Sequence, residues 1–237
     1  DRGICGKDAQ WSYDDGTLTI TGLGTTYDYT TDDPAPWSAL DVRKLVVEEG
    51  VTGIGENNFV NCENLKSVTI PAGLSANDKA FSGCTAIEEL NVTGTAQKMK
   101  TCPYVIVKDC IGDLKLVLVD GVTLPDSAFQ PCSSLKAIKI VGNLTEIPRD
   151  AFHGCSALVR AELPDTITSI GYSAFSQCES LEYCNIPEGV TRIGGYAFTC
   201  CYALQNVKIS DSVETIDEGA FSGCHALQTV SFGAESH

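Results

Sequence analysis

From Val42 onward the apolar residues fall in a frame that recurs about every 23 residues, and the frame is clearest when each copy is counted from a cysteine. After Cys201 the apolar positions are Leu204, Val207 and Ile209. The alternation through Val207, Lys208 and Ile209 predicts a strand with one buried face. Pro71, Pro164 and Pro187 directly follow the predicted strand in their copies, where a missing N–H ends a ladder. A second extended piece is predicted where Val190 and Ile193, or Val213 and Ile216, point inward again. It leads into a turn whose copies include Ala220-Phe221-Ser222-Gly223-Cys224, Ala197-Phe198-Thr199-Cys200-Cys201 and Ala174-Phe175-Ser176-Gln177-Cys178. That turn is too short for a stable helix, so a 3₁₀ or single α turn is expected. Each copy therefore reads as one coil of a solenoid.

Cys62, Cys84, Cys110, Cys132, Cys155, Cys178, Cys201 and Cys224 follow one another by 22, 26, 22, 23, 23, 23 and 23 residues. They are one repeat position sampled eight times. A single coil cannot bury its own Leu, Val, Ile, Phe and Cys, so neighbours must stack at the strand spacing of about 4.8 Å. The Phe position is the strongest column of that stack, with Val107 in the Phe place of one copy. Between Val92 and Met99 one coil holds extra residues near Thr95, read as a surface bulge; Cys102 then takes the place of Ile147, Ile170 and Ile193. Residues 1–40 lie outside the frame. Trp11-Ser12-Tyr13 and Leu18-Thr19-Ile20 around Asp14-Asp15-Gly16 predict a β-hairpin, and Thr25 to Trp37 reads as a loop packing aromatics onto the first coil. Such a cap is needed because an end coil otherwise leaves an apolar face in water. Residues 41–237 give about eight to nine coils of 22–26 residues. At the far end Leu227, Val230 and Phe232 begin another coil with no capping segment after it, so a contact through that end is expected to cover Phe232.

The stretches Asn64-Leu65-Lys66-Ser67-Val68-Thr69-Ile70-Pro71 and Asp211-Ser212-Val213-Glu214-Thr215-Ile216-Asp217-Glu218-Gly219-Ala220-Phe221-Ser222-Gly223-Cys224 carry a specific resemblance. From Val42 to Phe232 the chain resembles the BspA-like leucine-rich repeat family, and the segment from Cys5 to Trp37 looks like the module that often precedes such repeats. The resemblance implies a leucine-rich-repeat solenoid of the α/β horseshoe type, β-rich, with a parallel concave sheet and short 3₁₀ or helical turns. It also implies an exported bacterial surface protein that binds host or bacterial proteins, and it supplies no catalytic residue.

Composition narrows the alternatives. Sixteen Lys and Arg against 31 Asp and Glu give a net charge of -15, which repels nucleic acid. No run of 18 apolar residues provides a membrane span, and any export signal is expected to have been removed. The twelve cysteines are the first candidates for chemistry. A column repeating at the coil spacing suits neither disulfide pairs nor a tetrahedral metal site, and its plainest use is as small buried hydrophobes. Cys184 and Cys102 also fall on core positions; Cys5 and Cys200 alone have no packing role in the frame. Of the three histidines, His153 and His225 stand in turn loops about three coils apart, and nothing beside them makes a nucleophile and base pair. No cofactor or metal is expected, and a glycosidase or peptidase rests only on the abundance of acids.

The remaining signal lies on the outward side of the strand column. At five residues after each ladder cysteine, and at the equivalent place in the first coil, stand Lys44, Ser67, Glu89, Lys115, Ala137, Arg160, Tyr183, Asn206 and Thr229; at seven stand Val46, Thr69, Asn91, Val117, Lys139, Glu162, Asn185, Lys208 and Ser231. Five are basic and two acidic, on a chain of charge -15. Lysines on an open sheet also serve to keep it soluble. As a binding face, Lys44, Lys115, Lys139, Arg160, Tyr183, Asn185 and Lys208 are the candidate partner-binding residues, and an extracellular acidic protein or glycan is the expected ligand. A structural spacer within a larger surface protein is the reading from a different class.

Overall fold

A computed structural model describes residues 1–94 and 98–233. The elements in chain order are β1 (Arg2–Ile4), β2 (Gly6–Asp14), β3 (Thr17–Thr26), β4 (Lys44–Val47), β5 (Val51–Ile54), β6 (Ser67–Pro71), β7 (Ser75–Ala76), β8 (Glu89–Thr93), α1 (Pro103–Val107), β9 (Asp113–Leu118), β10 (Ala137–Val141), β11 (Glu146–Ile147), β12 (Arg160–Glu162), β13 (Ser169–Ile170), β14 (Tyr183–Cys184), β15 (Arg192–Ile193), β16 (Asn206–Ile209), β17 (Thr215–Ile216) and β18 (Thr229–Phe232). The coils stack as a solenoid with two faces. One face is the parallel ladder β4-β6-β8-β9-β10-β12-β14, and the other includes the shorter parallel ladder β11-β13-β15-β17. The turns around the repeat Phe are closed by i→i+3 backbone bonds such as His153 N–H to Asp150 C=O and Cys155 N–H to Phe152 C=O. Among the described residues α1, in the coil that carries Val107, is the one helix. A second strand ladder and turns thus stand where a horseshoe carries helices.

The antiparallel strands β1, β2 and β3 open the chain, and β3 joins the first coil directly by pairing parallel with β4, Leu18 beside Leu45 and Ile20 beside Val47. This hairpin is longer than its sequence signal and forms one sheet with the coils. Trp37 then heads the aromatic column: it stacks on Phe59 at 5.6 Å, meets Trp11 and Tyr29 edge-on, and donates from its indole N–H to the Asn58 carbonyl at 2.7 Å. Phe59 stacks on Phe81, and a second run joins Phe129, Phe152, Phe175, Phe198 and Phe221 at 4.9–5.3 Å with nearly parallel rings. The buried Val107 separates the two runs. Backbone bonds from Phe152 N–H to Ala174 C=O and from Phe175 N–H to Ala197 C=O, each 2.7 Å, hold successive turns in register.

All twelve cysteines are free thiols. The column cysteines do more than fill space: Cys178 Sγ donates to the Phe152 carbonyl at 3.1 Å, and Cys201 and Cys224 repeat this with Phe175 and Phe198. The thiol satisfies a buried acceptor that a methyl group would leave bare. Cys5, expected to have no packing role, is fully buried, because the hairpin folds Ala9 and Tyr27 over it through backbone bonds. Burial pushes its thiol up to about 11. The extra residues near Thr95 lie outside the described residues. At the far end Val230 and Phe232 are 40% and 70% exposed, β18 pairing with β16.

Candidate binding face

The outward side chains of the long ladder form the candidate face. Lys44, Lys115, Lys139, Arg160, Tyr183 and Lys208 are all exposed there; Lys115 and Lys139 are held outward because their strand neighbours Leu114 and Leu116, and Ile138 and Ile140, are buried. Their mutual placement departs from alignment on the cysteines, which sets Lys115 beside Ala137. The ladder instead pairs Lys115 with Lys139 and Ala137 with Asp113, a slip of two residues between β9 and β10. From β10 onward the expected order returns, with Ala137, Arg160 and Tyr183 in one row and Lys139 beside Glu162.

The slip sets two lysines side by side and brings Asp113 beside Ala137. Two lysines directly opposed on adjacent strands repel one another, and each leans toward a carboxylate on its other side: Lys115 to Glu89 at 3.2 Å and Lys139 to Glu162 at 3.5 Å. Glu162 also accepts from Arg160 Nε at 2.7 Å. The Arg160 bond, ahead of Lys139, holds the Glu162 carboxyl below its usual range, and the Asn91 amide with Lys115 does the same for Glu89. Ala137 is the small residue among these long ones. A cleft of about 490 Å³ opens above it, floored by Leu114, Ala137 and Ile138 and walled by Lys115, Lys139 and Arg160, with Glu88, Asp113 and Glu162 alongside. The Arg160 guanidinium lies 4.5 Å from the Tyr183 ring centroid, a cation–π contact.

Two candidates are placed differently from the rest. Asn185 is half-buried and spends its amide on the backbone of Leu163, accepting from its N–H at 2.7 Å and donating to its C=O at 2.9 Å. Lys208 lies beyond a break: β16 and β18 form a separate pair, and among the described residues no ladder joins β14 to β16. Lys208 approaches Glu188 at 3.5 Å, an acid from the loop after β14 that the strand pattern alone did not bring to this face. The histidines remain apart from it. His225 is exposed and stacked on Tyr202, while His153 is half-buried with Nδ1 enclosed and unpartnered. Among the described residues no three His, Cys, Asp or Glu side chains gather to hold a metal ion.

A family model described as the BspA type leucine rich repeat region matches residues 37–105 and 122–236 in six copies. The chain belongs to the BspA-type leucine-rich repeat family. This BspA-type chain also matches solved structures at low identity. A leucine-rich repeat protein from Eubacterium ventriosum is 17% identical over 94% of this chain and 95% of its own, with a TM-score of 0.45. A leucine rich cell surface protein from Faecalibacterium prausnitzii is 19% identical over 97% and 94%, with a TM-score of 0.37. The T. pallidum leucine rich repeat protein is 20% identical over 96% and 84%, with a TM-score of 0.41. A search of curated proteins finds no match. No helix among the described residues is long and apolar enough to cross a membrane.

Proposed function

We propose that this BspA-type chain is a binding module of a secreted or surface-displayed bacterial protein, taking an extracellular protein with an acidic patch onto its concave sheet. The observation that carries the reading is the cluster of Lys115, Lys139 and Arg160 around one cleft, on a chain whose net charge is -15. Basic residues gathered on one open face of an acidic molecule orient an acidic partner and speed its approach. Arg160 and Tyr183, already stacked on one another, belong to the residue types that dominate interface energies. Lys44 and Lys208 extend the cationic positions toward the two ends of the face.

The test uses Arg160→Glu combined with Lys139→Glu. Extracellular proteins are captured on the immobilised wild-type chain, and each captured protein is then titrated against both chains at low and high salt. The expected result is an acidic partner whose affinity falls with salt and drops at least tenfold in the double variant. Equal affinity and equal salt dependence for the two chains would remove the proposal and leave a spacer role.

A further inference from the structure

Between the end of the long ladder at β14 and the separate β16–β18 pair lies a hollow of about 330 Å³, within the size range of small-ligand sites. Its lining carries far fewer charged residues than the cleft around Ala137. Ile186, Val207 and Cys184 contribute apolar or weakly polar surface, and Asn206, Thr229 and Ser231 surround them. Tyr183 also lines it. Arg160, from the neighbouring strand β12, covers one face of the Tyr183 ring, and among the described residues no other aromatic or cationic group stacks on it. The ring is 45% exposed.

The one charged residue in the lining is Lys208, which lies 3.5 Å from the Glu188 carboxylate, and Arg160 beside Tyr183 is bonded to Glu162. A single paired, exposed cation gives an ionic ligand one weak anchor. A purely apolar group fares no better, since it would strip water from Asn206, Thr229 and Ser231, whose side chains make no hydrogen bond among the described residues, without replacing it. The lining asks for an uncharged group with one apolar face for Tyr183 and a rim of donors and acceptors for the amide and two hydroxyls. A pyranose ring has that combination: C–H bonds gathered on one face and hydroxyls around the edge.

We propose that the sheet break is a binding site for a neutral sugar, with Tyr183 as the stacking platform and Asn206, Thr229 and Ser231 as hydroxyl partners. Tyr183 belongs to both this hollow and the protein-binding face, so the two sites are separated by Lys115→Glu, which lies only in the cleft, and Asn206→Ala, which lies only in the hollow.

Saturation-transfer NMR on the full chain with millimolar glucose, galactose, mannose, N-acetylglucosamine and cellobiose tests the site, with N-acetyltyrosinamide as the aromatic side-chain probe. The expected result is transfer to ring C–H protons of at least one sugar. Tyr183→Ala weakens binding by roughly tenfold, Asn206→Ala weakens it less, and Tyr183→Phe and Lys115→Glu retain it, all with the wild-type circular dichroism spectrum. Silence from every sugar, transfer to N-acetyltyrosinamide alone, or undiminished transfer in a folded Tyr183→Ala chain overturns the proposal. Loss of acidic-protein binding with sugar binding intact, or the reverse, shows which of the two sites has failed.

Discussion

Phe175→Ala tests the physical basis of the solenoid most directly. Phe175 is fully buried and stacked on both faces, 4.9 Å from Phe152 and 5.2 Å from Phe198, with interplanar angles of 7° and 5°. Replacing a ring of this kind by Ala costs about 3–5 kcal/mol, because neighbours only partly collapse into the space. Here collapse is hindered further, since the coil spacing is fixed by backbone bonds on each side, including Phe152 N–H to Ala174 C=O and Phe175 N–H to Ala197 C=O. Taking about 4 kcal/mol and a urea m-value of about 2–3 kcal/mol per molar, the unfolding midpoint falls by about 1.3–2 M. Phe221→Ala is the comparison. That ring is half-buried and has one stacked neighbour, Phe198 at 5.3 Å, so its loss should be less than half as large. Urea titrations followed by circular dichroism measure both variants. A Phe175→Ala midpoint within about 0.3 M of wild type, or a larger loss at Phe221 than at Phe175, would refute the view that the Phe column carries the stack.

Two further predictions concern the backbone and the thiols. Gly142 has φ +134°, and a Cβ there would run into the Leu118 carbonyl of the preceding coil; Gly142→Ala should cost about 1–3 kcal/mol in the same titration. The Cys110 thiol is fully buried, pushed up to about 12 by desolvation, and donates to the Ile87 carbonyl. Its folded pKa is raised, so the stability it contributes is complete below the unfolded thiol pKa and is lost as pH rises toward about 12. Cys110→Ser keeps a donor and removes the titration, so its unfolding free energy from urea titration should decline less steeply between about pH 9 and 11, by about 1.4 kcal/mol per pH unit. Parallel slopes for the two chains would contradict this.

The core was legible because it is periodic. Leu204, Val207 and Ile209 are buried as their spacing requires, and the Phe and Cys columns stack because residues one repeat apart must meet when coils of equal length are piled up. The outward face was legible only in part. Which positions face out follows from strand alternation, but which of them touch follows from the backbone register between coils.

Sequence alone determined the solenoid, its repeat frame, the buried columns and the set of outward residues, since these depend on local alternation and on the need of every coil for a neighbour. It also carried the family resemblance. Tertiary structure decided the rest. The unequal coils around Cys110, 26 and then 22 residues by their cysteines, leave the register free to slip, and hydrogen bonding chose the pairing that sets Lys115 against Lys139. Only chain stacking revealed that Trp37 heads the Phe column, that Cys thiols serve Phe carbonyls 26 residues earlier, and that Asn185 turns its amide onto Leu163. The break between β14 and β16 belongs to the same class. Each is a contact between residues distant in the chain, fixed by how one coil lies on the next.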